Sequence, residues 1–240
     1  MLSRSESKYI QSLSHKKQRD NEGLFLVEGP KIADEVLKSH FVVRKIYATT
    51  SWEYENITNV EIVVVSEDEL QKISNLQTAN QVLLVVEKPT FFNNSSKENA
   101  VILALDGIQD PGNFGTIIRI ADWFGVNKIV CSSDCVELYN PKVIQSTMGS
   151  FIRVKVDYED LNDWLNKNSL PVYGALLNGK NIKSIEAIHK GVIVIGNESK
   201  GIRENILPFI QHKISINKIG GAESLNASVA TGIILSHILS

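Results

Sequence analysis

Residues 101–119 read VILALDGIQDPGNFGTIIR, an apolar run followed by a polar turn and then a second apolar stretch. The run before Asp106 is typical of a β-strand buried on both faces, because no polar residue alternates with the apolar ones. Residues 114–124 predict a helix, and the Asp-Pro-Gly turn at 110–112 separates it from the strand. The stretch therefore indicates a strand, a loop and a helix in succession, which is the repeating unit of an α/β protein.

The same order recurs through the rest of the C-terminal half. Further strands are predicted at 128–131, 153–156, 172–177 and 192–195, and further helices at 141–147, 161–166 and 229–239. We therefore expect an α/β fold with a mostly parallel sheet flanked by helices. Ligands of such sheets lie in the loops beyond the carboxyl ends of the strands, so the residues that follow each strand are the candidates for function.

The N-terminal part of the chain predicts a second, smaller α/β unit. Its strands are expected at 24–27, 41–48, 61–65 and 81–86, and its helices around 10–13, at 31–39 and at 67–73, the last with Ser66 as N-cap. Residues 88–99 are rich in Pro, Asn and Ser and fit neither period. We therefore expect an N-terminal domain over residues 1–90, a linker over 91–99 and a C-terminal domain over 100–240.

Charge is unevenly distributed along the 240 residues. The chain has 25 basic and 27 acidic side chains, and a net charge of −2 excludes a protein that coats nucleic acid by bulk charge. Residues 1–45 hold nine basic and six acidic side chains, whereas the remainder holds 16 basic and 21 acidic. Any contact with nucleic acid must therefore be local.

Metal and membrane chemistry find little support in the composition. Cys131 and Cys135 have no Cys or His neighbours at ligand spacing, so we expect buried thiols, and the scattered histidines predict neither a metal site nor a catalytic triad. No apolar run approaches the ~18 residues of a membrane span, and the N-terminus does not resemble a signal peptide. These features predict a soluble cytoplasmic protein without metal.

Three segments that follow predicted strands carry unusual polar residues. In the first, Asn113 is either a helix N-cap or a functional side chain, and Arg119 lies among isoleucines where a guanidinium needs an anionic or carbonyl partner. The second segment, GNESKG at 196–201, places two glycines and both signs of charge directly after a strand. In the third, at 214–228, Ser224 or Asn226 is the candidate cap of the last helix.

Residues 174–181, GALLNGKN, almost match the phosphate-binding P-loop. Asn181 stands where a P-loop has Ser or Thr to bind magnesium, and Leu176 and Leu177 are bulky where the loop must wrap phosphate. The motif therefore disfavours a nucleoside triphosphatase. That alternative function would predict that the protein binds ATP.

In their order and spacing, the three segments resemble the three motifs of the SpoU/TrmH family of the SPOUT superfamily, which are RNA ribose 2′-O-methyltransferases. The resemblance rests on Asn113 and Arg119, on GNESKG at 196–201 and on ESLNAS at 223–228, and it spans residues 101–239. The N-terminal unit resembles the L30e-like substrate-binding domain that many members carry, through its size, its element order and FLVEG at 25–29.

The resemblance implies a C-terminal trefoil knot, a homodimer and S-adenosylmethionine as the cofactor. It assigns the cofactor to three loops and implies that the cofactor-binding residues are Leu176, Ile195, Gly196, Asn197, Gly201, Ile216 and Leu225. The catalytic residues that it implies are Asn113, Arg119, Glu198, Ser224 and Asn226. Arg119 is expected to cross the dimer interface, and we interpret it as a clamp on the target phosphate, because a guanidinium is a poor base.

The resemblance also implies an RNA substrate, with ribosomal RNA of the 23S type favoured. Transfer RNA is an alternative, as is a non-catalytic RNA-binding protein of the same fold. The candidate phosphate ligands in the basic N-terminal stretch are Lys8, Lys16, Lys17 and Arg19, and the competing interpretation is a solvated helix face.

Overall fold

The computed structural model describes residues 2–54, 60–89 and 101–239, and these fold into two compact units. The N-terminal unit comprises Met1–Asn93 and Glu137–Ile152, and the C-terminal unit comprises Asn94–Val136 and Arg153–Ser240. The division differs from the expected boundaries, because residues 137–152 pack with the N-terminal unit although they lie in the middle of the predicted C-terminal domain. The expected linker at 91–99 lies outside the described residues.

In chain order, the described helices are α1 (Arg4–Ser12), α2 (Lys16–Glu22), α3 (Pro30–Leu37), α4 (Glu67–Ile73), α5 (Pro111–Trp123), α6 (Pro141–Thr147), α7 (Leu161–Lys167) and α8 (Ala227–Ile238). The described strands are β1 (Leu24–Glu28), β2 (Val43–Ala48), β3 (Glu61–Val64), β4 (Val82–Glu87), β5 (Val101–Asp106), β6 (Lys128–Ser132), β7 (Lys155–Glu159), β8 (Val172–Asn181), β9 (Gly191–Gly196) and β10 (His212–Ser215). No described helix combines the length and the apolar character needed to cross a membrane.

The sheet of the N-terminal unit has the order β1-β4-β2-β3 among the described residues. β4 runs antiparallel to both β1 and β2, whereas β2 and β3 are parallel. The predicted N-cap of α4 is confirmed, since the Ser66 hydroxyl accepts from the Glu69 backbone and the Glu69 carboxylate accepts from the Ser66 backbone. Glu28, at the end of β1, is buried and accepts hydrogen bonds from Ser74 and Asn75, so it holds the chain that follows α4.

An aromatic cluster explains why residues 137–152 belong to the N-terminal unit. The ring of Phe25 lies 4.6 Å from that of Tyr139 and 5.9 Å from that of Phe151, and Phe41 lies 5.5 Å from Phe151. Phe25 and Phe151 are fully buried. The core of this unit is therefore completed by side chains more than 100 positions away in the sequence.

The prediction that Arg19 binds RNA phosphate is wrong. Its side chain is buried, and its guanidinium donates to the backbone carbonyls of Leu13 and Ser14 and to both carboxylate oxygens of Glu137. Lys88 adds a second cation beside Glu137 at 3.3 Å. Arg19 satisfies internal acceptors and is not available to an external phosphate, because moving a paired, buried charge into water would leave its partner unpaired.

The C-terminal unit carries the predicted parallel sheet. Its described strands follow the order β10-β8-β9-β5-β6-β7, and every pair is parallel. The three central strands β9, β5 and β6 are almost entirely buried, as their unbroken apolar runs predicted. Helices α5 and α8 pack against each other beside this sheet.

Three strands of the sheet differ from the prediction. β8 ends at Asn181, four residues beyond its predicted end at Leu177. β7 begins at Lys155, two residues later than expected, because its partner β6 begins at Lys128 and the two positions pair. β10 was not predicted, since only Ile214 among its four residues is buried and an edge strand of this kind has no apolar run.

We predict that Glu137→Ala destabilises the N-terminal unit by about 3 kcal/mol, because it leaves the buried Arg19 guanidinium without its carboxylate. Hydrogen exchange of the peptides that cover β1 and β4, measured in a urea series, reports this unit alone. The matched control is Glu159→Ala, which removes an exposed carboxylate and should change stability by less than about 0.5 kcal/mol. Equal protection in the two variants would contradict the role given to Glu137.

Candidate active site

The motif-bearing loops leave the same edge of the C-terminal sheet, as expected. Asp106, the last residue of β5, pairs with Gly196, the last residue of β9, and both strands run in the same direction. The loop that leads to Asn113 and the loop 196–201 therefore start side by side. The parallel register alone accounts for this meeting of segments that are 90 residues apart.

Asn113 joins the three motif segments through its side chain. The N-cap of α5 is Asp110, whose carboxylate accepts from the Asn113 backbone at 2.8 Å, so the capping interpretation of Asn113 is wrong. The Asn113 amide nitrogen instead donates to Glu198 Oε1 at 2.8 Å, and its oxygen accepts from the Asn226 amide at 2.7 Å. A single amide thus connects the loop 196–201 with the start of α8.

Asn226, and not Ser224, caps α8. Its Oδ1 accepts from the backbone of Ser228 at 2.9 Å and of Val229 at 3.3 Å, and from the Ser228 hydroxyl at 2.6 Å. Ser224 is exposed and makes no hydrogen bond to any residue that the structure describes. Of the five predicted catalytic residues, the structure therefore brings together Asn113, Glu198 and Asn226 and leaves Ser224 and Arg119 apart from them.

Arg119 is exposed although its sequence neighbours are apolar. It lies on the exposed face of α5, and its guanidinium makes no hydrogen bond or ion pair to the described residues. Trp123, one turn further along the same face, is 84% exposed. The buried isoleucines 117 and 118 lie on the opposite side of the helix, so the anionic or carbonyl partner expected for Arg119 is not supplied by the described residues of this chain.

Loop 196–201 is held in a tight turn by its own backbone. Asn197 and Gly201 exchange two backbone hydrogen bonds of 3.0 and 2.9 Å. A Cβ at position 196 would collide with the backbone of Gly201 and Ile202, so glycine is required there for the chain to fold back on itself. The Asn197 side chain donates to Gly107 O at 2.7 Å and accepts from the backbone of Ser199 and Lys200, so it braces the turn.

The other predicted cofactor-binding residues lie on β8, on β9 and around β10. Ile195 is buried at the end of β9, Ile216 directly follows β10 and is partly buried, and Leu225 is 46% exposed. Leu176 lies in an irregular stretch of β8, where the register with β10 jumps from Gly174 to Lys180. Residues 174–181 thus belong to a strand that a short 3-10 turn follows, which is not the loop-to-helix geometry of a P-loop.

Both cysteines are buried, as predicted, and one supports the loop after β5. The Cys131 side chain, the Ser132 hydroxyl and the Ile108 backbone lower the pKa of the Cys135 thiol to about 7. Burial raises the pKa of Cys131. Because the Ile108 N–H donates to Cys135 Sγ at 3.2 Å, the thiol fixes the loop that leads to Asn113.

Among the described residues there is no group of three or more His, Cys, Asp or Glu side chains that is arranged to hold a metal ion. Lys8, Lys16 and Lys17 are exposed on the N-terminal unit.

Comparison with known proteins shows the family of the chain. The model of the SpoU rRNA Methylase family matches residues 100–236, and that of the MRM3-like substrate binding domain matches residues 5–84. The chain belongs to the SpoU rRNA methylase family. Its resemblance to SpoU/TrmH proteins, inferred from three short motifs, is therefore confirmed.

Members of the SpoU family match this chain over nearly its whole length. It is 30% identical over 232 residues to the 23S rRNA (guanosine(2553)-2′-O)-methyltransferase RlmP of Bacillus subtilis, a match that covers 94% of this chain and 92% of RlmP. A solved TrmH-family structure from Porphyromonas gingivalis is 31% identical, with a TM-score of 0.86 over 99% of this chain and 98% of that one. The SpoU methyltransferase AviRb of Streptomyces viridochromogenes, solved with AdoMet, shares the fold at 22% identity, with a TM-score of 0.85 over 99% of this chain and 97% of AviRb.

We predict that Asn226→Ala lowers the free energy of unfolding by about 1–2 kcal/mol, because it removes the cap of α8 and one partner of Asn113. Ser224→Ala is the matched control, two residues away, and should leave stability unchanged. Thermal melts of both variants measure the difference. Equal melting temperatures would show that Asn226 does not cap the helix in solution.

Proposed function

We propose that this SpoU-family protein transfers a methyl group from S-adenosylmethionine to a ribose 2′-hydroxyl of 23S ribosomal RNA. The observation that carries the proposal is the hydrogen-bonded connection of Glu198, Asn113 and Asn226, which unites the three family motifs at one edge of the sheet. The RlmP relative, named for 2′-O-methylation of a 23S guanosine, supports the choice of RNA. A non-catalytic RNA-binding protein would have no need of this connected set.

The residues at this edge fit a cofactor with an apolar aromatic part. Leu177 is 80% exposed, Ile219 is 94% exposed and Leu225 is 46% exposed, and they lie on β8 and on the loop after its neighbour β10. Exposed large apolar side chains near the ends of parallel strands are typical of a ligand site. We assign adenine contacts to Leu176, Ile216 and Leu225, and the loop contacts to Ile195, Gly196, Asn197 and Gly201.

When bound, the cofactor supplies a methyl group on a positively charged sulfur. Arg119 holds the phosphate next to the target ribose, and so places the 2′-oxygen in line with that methyl group. Because a guanidinium is a poor base, Arg119 stabilises negative charge on the oxygen, and the hydroxyl proton passes to solvent water. Glu198, Asn113 and Asn226 keep the two loops in register, and Ser224, on the exposed loop before α8, is assigned to the ribose.

The proposed enzyme is a homodimer in which α5 and α8 form the interface with a second copy. The exposed face of α5 carries Arg119 and Trp123, and α8, which packs against it, exposes Val229 and Ile233. An apolar face with an 84% exposed tryptophan is costly in water and suits a two-fold contact. Arg119 on this face would then act in the partner's site.

A C-terminal trefoil knot and an RNA-binding N-terminal domain complete the proposal. The knot is supported by the likeness of fold to SpoU and TrmH structures over nearly the whole chain. The N-terminal domain, expected over residues 1–90 before a linker at 91–99 and completed by residues 137–152, would bind RNA through Lys8, Lys16 and Lys17, and the match to the MRM3-like substrate binding domain supports this. The methyltransferase domain comprises the rest of residues 100–240, and a ribosomal RNA substrate agrees with the expected cytoplasmic location.

The activity is tested by incubating the protein with labelled S-adenosylmethionine and total RNA from a strain that lacks it, and then mapping the modified nucleotide. We expect a 2′-O-methylated ribose in 23S ribosomal RNA and, for Arg119→Ala, a loss of kcat of roughly 100-fold with unchanged cofactor affinity. Sedimentation velocity should show that the wild type and the variant are both dimers.

Near-normal methyl transfer by a dimeric Arg119→Ala protein would contradict the role of Arg119, and a monomeric wild type would contradict the dimer. Label in transfer RNA alone would favour that substrate class instead. Calorimetry with ATP should show no binding, in agreement with the strand geometry of residues 174–181.

We predict that the double charge reversal Lys16→Glu and Lys17→Glu weakens RNA binding and reduces its salt dependence, because phosphate contacts release counterions. The cofactor dissociation constant should not change. Reversal of Lys167 and Lys190, two exposed lysines of the C-terminal unit, is the matched control. If the two double variants bind RNA equally well across a salt series, the N-terminal lysines are a solvated helix face.

A further inference from the structure

An ion pair joins the buried Asp106 to the partly exposed Arg203 at the base of the loop 196–201. The Asp106 carboxylate is fully buried, and one of its oxygens accepts from the Arg203 backbone N–H at 2.8 Å. The other oxygen accepts from Arg203 Nε at 2.5 Å and also contacts Nη2. A single arginine therefore makes three contacts with the carboxylate.

The position of the pair in the fold links it to the candidate site. Asp106 ends β5 and pairs with Gly196, where the loop begins, whereas Arg203 lies two residues after Gly201, where the loop ends. The same strand end thus holds both the entry and the exit of the loop. Glu198, at the tip, is the loop residue that bonds to Asn113.

A second ionic contact links Arg203 to the residues that follow β6. Arg203 Nη2 lies 3.5 Å from an oxygen of Asp134. The Ser132 hydroxyl, and then the charge of Arg203, hold the pKa of Asp134 below its usual range. Ser132 Oγ also accepts from the Gly107 backbone at 2.9 Å, so the ends of β5, β6 and β9 form one polar network.

Stability alone does not require this arrangement. Burying the Asp106 carboxylate costs solvation energy, and solvent screens the charge of Arg203, whose side chain is 42% exposed, so the pair contributes little net stability. Unlike an apolar contact, the pair fixes the relative orientation of its two side chains, because a planar guanidinium binds a carboxylate in only a few orientations. The pair is therefore suited to fixing the position of the backbone that follows the loop.

We propose that Arg203 and Asp106 are positioning residues for methyl transfer, which hold the loop 196–201 so that Glu198 stays within reach of Asn113. The inference rests on the proposed function and adds two residues to those that the resemblance implied. Neither residue touches the reacting atoms. Their effect passes through the backbone of the loop to the cofactor site.

The test compares Arg203→Met, Arg203→Lys and the control Arg153→Met. Arg153 forms an equally well-made ion pair with Asp122 in the same unit, at 2.8–3.1 Å, away from these strand ends. Calorimetry measures the dissociation constant for S-adenosylmethionine, kinetics measure kcat and the KM for RNA, and hydrogen exchange measures the amides of residues 197–201.

For Arg203→Met we expect cofactor affinity to fall about 10-fold, kcat to fall roughly 10- to 100-fold, and the amides of 197–201 to exchange faster, with an unchanged KM for RNA. Arg203→Lys, which keeps the charge but not the planar fork, should give intermediate values. Arg153→Met should match the wild type in all of these measurements, whatever its melting temperature. Asp106→Asn, which keeps the size of the side chain, serves if Arg203→Met does not fold.

Cofactor affinity and kcat within twofold of the wild type in folded Arg203→Met would overturn the inference, even if its melting temperature fell. A wild type that neither binds the cofactor nor methylates RNA would instead overturn the proposed function. The hydrogen-exchange comparison distinguishes these failures, because it measures how strongly Arg203 stabilises the loop and does not depend on methyl-transfer activity.

Discussion

The parallel pairing of β5 with β9 places Asp106 beside Gly196, and the polar contacts of the candidate site depend on that alignment. A shift of one residue between these strands would move the loop 196–201 by about 3.3 Å relative to the loop that leads to Asn113. The hydrogen bond between Asn113 and Glu198 tolerates only a few tenths of an ångström. The buried apolar faces of the two strands thus set the register, and the register sets the chemistry.

A long-range constraint of another kind shapes the N-terminal unit. Arg19 and Glu137 are 118 positions apart, yet each needs the other because both are taken out of water. The rings of Tyr139 and Phe151 come with Glu137 and close the core around Phe25. This unit therefore includes a segment that lies between β6 and β7 in the chain, and residues 1–90 by themselves would lack part of their core.

Local patterns predicted most of the fold, and the failures share a physical cause. The apolar runs of β5, β6 and β9 are visible in sequence because those strands are buried on both faces. β10 is an edge strand with a single buried residue and gives no such signal.

Side chains, like strands, could be predicted where the local sequence carries a signal and not where long-range contacts decide their position. Residues in three motifs pointed to Asn113, Glu198 and Asn226, but no local pattern shows that Arg19 is buried or that Arg203 binds Asp106, since both depend on residues about 100 positions away. The exposure of Arg119 is likewise not visible in its apolar sequence neighbours, since Ile117 and Ile118 face away from it once the helix forms.

The groups at the two ends of the hydrogen-bonded connection explain why amide side chains occupy positions 113 and 226. Glu198, as a carboxylate, only accepts hydrogen bonds, whereas the first turn of α8 presents backbone N–H groups that only donate. A group between them must donate on one side and accept on the other, and Asn226 and Asn113 do this in series. An aspartate at 113 would set two carboxylates against each other, and an alanine would leave Glu198 and Asn226 unpaired. Every hydrogen bond in the connection thus points from donor to acceptor in the same sense, from the N-terminus of α8 to the carboxylate of Glu198. The two asparagines achieve this without adding charge beside a site proposed to bind a cationic sulfur.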